Sequence, residues 1–97
     1  MSRPRMTPEL AAEIAQQNFR KAVKHQLVEF DMIQRDLGEL LGLKGPQTSI
    51  QLANPDKIPV GRLREIIRIL RLDPMVILAL LGYTDKELKQ LRDRLAA

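Results

Sequence analysis

The residues whose chemistry stands out are Gln47, Thr48, Ser49 and Gln51, a run of amides and hydroxyls without a charge among them, in a chain that is 29% charged. A surface helix ordinarily carries Lys and Glu, whereas amides and hydroxyls are the groups that pair with base edges in a major groove. The plainer reading is a polar, weakly helical loop, and composition does not separate the two. Catalytic chemistry finds no comparable grouping. The chain has no G-x-x-x-x-G-K-[ST], G-x-S-x-G or H-E-x-x-H, no aspartate-rich calcium loop and no cysteine nucleophile, so an enzyme is not expected. His25 stands among Arg20, Lys21 and Lys24, and no carboxylates or thiols around it have the spacing of a ligand set, so a surface histidine with neither metal nor cofactor is expected.

The elements that must position these groups lie between Asp31 and Asp56. Asp31 and Gln34 have the spacing of a capping box that would start one short helix. Leu37, Leu40 and Leu41 share a face of it, and Gly42 is its natural stop. Gly38 sits inside this helix, where it costs roughly 1 kcal/mol against Ala; a position without a side chain predicts that a second helix crosses very close. That second helix begins around Pro46 and ends at Asn54-Pro55-Asp56. Its orientation has two solutions. If Ser49 and Leu52 are buried, Gln47, Thr48 and Gln51 face outward; if Ile50 and Ala53 are buried, Thr48, Ser49 and Leu52 rotate outward, since one residue turns the helix by about 100°. Apolarity favours burying Ile50 and Ala53.

Two blocks of this chain resemble the phage lambda repressor and Cro family of helix-turn-helix proteins, which includes many bacterial xenobiotic-response-element-type regulators. Gln34, Leu37, Gly38, Leu40, Leu41, Gly42 and Leu43 match its Q-x-x-L-A-x-L-L-G-[ILV] pattern, with Gly where Ala is usual. Lys57-Ile58-Pro59, then Leu63, Ile66, Ile69, Leu70, Leu72, Asp73 and Pro74, look like its next segment. The likeness spans residues 19–81. Ile33 stands where the family has a Thr or Ser cap, so Asp31 is expected to cap instead, and Lys44-Gly45-Pro46-Gln47 is one or two residues longer than the usual turn. The resemblance implies a single domain over 1–97: a compact all-α bundle of roughly five to six helices, with a basic arm at 1–6, the helix-turn-helix at 31–54 and carboxy-terminal helices at 73–97. It also implies a regulator of transcription that binds double-stranded DNA sequence-specifically, as a repressor. Gln47, Thr48, Ser49 and Gln51 would supply base contacts, while Gln34, Lys44, Lys57 and Arg62, with Arg3 and Arg5 of the arm, would hold phosphates.

The remaining chain reads as helices with clear punctuation. Thr7-Pro8-Glu9 starts one; Leu10 and Ile14 mark one stripe, while Ala15, Phe19, Ala22, Val23, Leu27 and Phe30 mark another, compatible with one long helix to about Glu29 or with two. Val60 to Arg71 is amphipathic, with Leu63, Ile66, Ile67 and Leu70 inward. Asp73-Pro74 opens a helix that is apolar on all sides until Gly82. Thr84 with Glu87 forms another capping box, with Tyr83 and Leu88 spaced as a hydrophobic staple. Met75, Ile77, Leu78, Leu81, Leu88, Leu91 and Leu95 are the candidates for a homodimer interface; packing within the chain is the alternative.

Composition sets the outer bounds. Ninety-seven residues suit one small domain, and 44% hydrophobic content with 3% aromatic residues points to a core of Leu, Ile, Val and Ala. A net charge of +4 favours a polyanionic partner. Absent cysteines fit a reducing compartment, and no apolar run has the roughly 18–20 residues of a membrane span, so a cytoplasmic, nucleoid-associated protein with no membrane partner is expected. One short recognition helix reads only a few base pairs; two subunits would read an inverted repeat with half-sites about 34 Å apart. A second reading, from another class, is an antitoxin of a toxin–antitoxin pair, or a phage accessory protein, whose carboxy-terminal helices hold a toxin or host protein.

Overall fold

Thr7 starts the first helix as its spacing predicts: Oγ1 accepts from the Leu10 amide at 3.1 Å, and Pro8 fills the first helical position. The computed structural model describes residues 7–96, all of whose regular structure is helical. The order is α1 (Pro8–Glu29), α2 (Gln34–Leu40), α3 (Gln47–Ala53), a 3-10 turn (Pro55–Lys57), α4 (Val60–Leu70), α5 (Pro74–Leu80) and α6 (Asp85–Ala96). α1 is a single uninterrupted helix. Of its two stripes the second is the buried one, through Ala15, Phe19 and Val23, while Leu10 stays exposed.

Helix ends follow a repeated hydrogen-bond pattern. At the end of α2 the Leu43 amide reaches Gly38 O at 2.8 Å and the Gly42 amide reaches Glu39 O at 3.1 Å; at the end of α5, Tyr83 and Gly82 do the same to Leu78 and Ala79. The paired bonds satisfy carbonyls that have no partner inside the helix. α1 ends identically, with Met32 N on Leu27 O at 2.8 Å and Asp31 N on Val28 O at 3.1 Å. Here the residue that turns left-handed is Asp31, at φ 53°, a conformation that Asp tolerates better than most residues. Asp31 therefore closes α1 and does not cap α2, contrary to the sequence expectation. The cap position of α2 is Ile33, and its amide is taken by Asp36 Oδ2 at 3.0 Å, one half of a capping box formed two residues later than expected.

The core gathers one or more residues from each helix up to α5. Phe19 and Val23 of α1 gather with Leu37 of α2 and Leu41 at its end, Leu52 of α3, Ile58, then Leu63, Ile66 and Leu70 of α4, Leu72 in the link that follows, and Ile77 of α5. α1 packs most extensively on α5 and also meets the 3-10 turn and α4; α2 packs on α3, and α6 rests on α5. Three side chains tie helix ends across the fold. Arg20 Nη1 donates to Ala53 O at 3.3 Å, Gln26 Nε2 to Leu70 O at 2.6 Å, and Arg62 Nη1 to Leu41 O at 2.9 Å. The carboxy termini of α3, α4 and α2 are thus each held by another helix.

α5 begins with Asp73 Oδ1 accepting from Met75 N at 3.0 Å. Ile77 is buried in the core against the chain's own helices, which removes it from the expected dimer surface: the side of α5 that meets α1 is already covered. Met75 and Leu78 are half-buried and Leu81 is exposed. Before α6, Thr84 Oγ1 accepts from Glu87 N at 3.2 Å and donates to Glu87 Oε1 at 3.0 Å. Leu88 is half-buried, and the side chains of Leu91 and Leu95 lie outside the described residues. Among the described residues no helix is long and apolar enough to cross a membrane.

Candidate functional site

The pair α2–α3 is organised by one contact. Gly38 is buried, and a Cβ built on it would collide with the Thr48 hydroxyl and come within 3.3 Å of Thr48 Cβ. The close crossing anticipated from a glycine inside a helix is present, and the residue that enters the notch is Thr48. Its burial sets the rotation of α3, because Leu52, one turn later, then falls on the same side and completes the core.

This rotation matches neither sequence solution. Thr48 and Leu52 are buried, whereas Ile50 is 58% exposed and Ala53 is exposed. The expectation that Ile50 and Ala53 turn inward is overturned, and Thr48 is withdrawn as a base-contact candidate because its side chain is consumed by the helix crossing. The physical reason is size at closest approach. A notch without a Cβ accepts a threonine, while isoleucine needs more room than the crossing leaves. Gln47 and Ser49 remain exposed, and Gln51 is half-buried on the flank.

A shallow groove of about 550 Å³ opens between α2 and α3, lined among others by Gln34, Arg35, Glu39, Lys44 and Ser49. Gln34 and Lys44, both expected at phosphates, are exposed and share this groove with Ser49. Arg35 joins them. Its position was legible only once the α2–α3 crossing was known, since in the sequence it lies among alternating charges. Lys57, in the 3-10 turn, is exposed. Arg62 is half-buried and one of its N–H groups is engaged with Leu41 O, so it holds the end of α2 whatever else it contacts. Arg3 and Arg5 lie outside the described residues.

Other candidate groups do not converge. The His25 side chain is 72% exposed, with Nε2 4.0 Å from Glu29 Oε1, and among the described residues no three His, Cys, Asp or Glu side chains are grouped to hold a metal ion. Phe19 is fully buried and Phe30 and Tyr83 belong to other elements than α3, so the three aromatics do not form a stacking platform for single-stranded nucleic acid. What the α2–α3 face offers is an uncharged helix carrying amide, hydroxyl and one large apolar side chain, flanked by Arg35 and Lys44. No family model, characterised protein or solved structure matches the chain.

Proposed function

We propose that the chain is a sequence-specific double-stranded DNA-binding regulator of transcription, a repressor of phage or bacterial type that works in the cytoplasm, on the nucleoid, and reads an inverted repeat as a homodimer. The observation that carries this reading is the Gly38–Thr48 crossing, which turns a charge-free helix outward beside exposed cations. The exposed amide of Gln47 and hydroxyl of Ser49 take no part in the helix crossing, and they suit base edges. Lys44 and Arg35 at the groove and Lys57 beyond α3 suit phosphates on either side. The family resemblance of the 34–43 and 57–74 segments supports the same assignment.

The test is selection of bound sequences from a random duplex pool, followed by comparison of the enriched duplex with bulk DNA at physiological salt. The proposal predicts an inverted repeat bound on the order of a thousandfold more tightly than bulk. Weak, salt-sensitive binding without enrichment contradicts it, and shifts weight to the second reading, in which the partly apolar α5–α6 surface around Leu78, Leu81 and Leu88 holds a toxin or host protein.

A further inference from the structure

Ile50 is the only large apolar side chain that α3 exposes, at 58%. It follows Thr48 by two residues, about 200° around the helix axis, which places it on the crest opposite the edge buried by Thr48 and Leu52. Gln47 precedes it by one turn, and Ala53 and Asn54 follow it. The Asn54 donor is engaged, Nδ2 to Ile50 O at 3.0 Å, so this amide holds the helix end. The Ile50 side chain takes no part in the core.

The inference rests on reading α3 as the helix that enters the major groove. A side chain on the crest of such a helix reaches furthest toward the bases. Isoleucine can neither donate nor accept a hydrogen bond, and it carries no charge for phosphate. Of the groups that base pairs display in the major groove, the one with matching chemistry is the C5-methyl of thymine. We propose that Ile50 is a specificity-determining residue that packs on a thymine methyl in each half-site, so that the preferred sequence carries a fixed thymine opposite the crest of α3. Gln47 and Ser49 beside it supply the hydrogen-bonding part of the readout.

The experiment replaces each thymine of the enriched duplex singly by deoxyuridine, which deletes the methyl and leaves every hydrogen-bonding group in place. For the wild-type protein, one replacement per half-site weakens binding about fourfold, the effect of withdrawing one methyl-sized group from an apolar contact. Ile50→Ala binds the unmodified duplex more weakly and shows no further loss on that replacement. Ile50→Val, which keeps an apolar tip, retains the thymine preference at reduced strength and serves if alanine abolishes binding. Both variants keep wild-type helicity by circular dichroism, because the side chain lies outside the core. Tolerance of deoxyuridine at every position, or an equal loss in wild type and variants, overturns the role of Ile50 while selective binding still upholds the reading of α3. Failure to enrich any duplex overturns both.

Discussion

Adding a single carbon at Gly38 sets two effects against each other. Alanine gains about 1 kcal/mol of helix propensity over glycine, but its Cβ meets Thr48 at the crossing, and overpacking costs about 1–3 kcal/mol. Because Thr48 is short, stiff and buried, the second effect dominates. Gly38→Ala is predicted to lower stability by up to about 2 kcal/mol in chemical denaturation. In a Thr48→Ala background the same change becomes neutral or favourable, since the colliding hydroxyl is gone; additivity of the two substitutions would refute the crossing. The glycine was legible in the sequence as a sign of close approach, but which residue fills the notch was not. Apolarity pointed to Ile50 and Ala53, but the notch is filled by Thr48, and Leu52 one turn later supplies the apolar bulk on the same edge, which leaves Ile50 and Ala53 outside.

At the scale of elements, the start of α1, the amphipathic face of α4, the Asp73 cap and the Thr84–Glu87 pair were all readable from local spacing, because each depends on residues within one turn of one another. The three ties between helices were not. Arg20 and Ala53, Gln26 and Leu70, and Arg62 and Leu41 are far apart in the chain, and a long polar side chain carries no mark of a distant carbonyl. Gln26→Ala removes the donor that holds the end of α4 and is predicted to cost about 1 kcal/mol. Gln26→Glu is predicted to cost more, because at neutral pH it presents a carboxylate to carbonyl oxygens; equal thermal stability of the two variants would argue against the bond. On the proposed DNA-binding face the contributions of two elements are expected to separate by salt. Lys57→Ala in the 3-10 turn should weaken all duplexes alike and flatten the log–log salt slope by about 1, whereas Gln47→Ala on α3 should relax sequence preference at nearly constant slope.

For the whole molecule, the radius of gyration is 14.8 Å, above the roughly 12.5 Å typical of a compact domain of this length. The least covered parts of the described chain are the first turns of α1, where residues 7–13 are exposed, and α6, whose described side chains are exposed except for half-buried Leu88. The sequence signalled surplus apolar surface at the carboxy-terminal end without showing how much of it the chain covers itself. Ile77 is covered; Leu81 remains 50% exposed and is the natural centre of the proposed symmetric contact. Leu81→Asp is therefore predicted to weaken self-association at least about tenfold in sedimentation velocity, twice the burial of one leucine being at stake across a two-fold axis, with helicity unchanged. An unaltered dimer would place the contact elsewhere.

The proposed contact of the α2–α3 face with DNA is tested most directly by an NMR titration of the isotope-labelled chain with the enriched duplex, with bulk duplex as the reference. Binding through this face is predicted to put the largest amide shifts on Gln34, Arg35, Lys44, Gln47, Ser49 and Ile50, with smaller ones at Lys57 and little change along α5 and α6 beyond those that follow self-association. Shifts centred on α5 and α6, with α3 unmoved by either duplex, would contradict it.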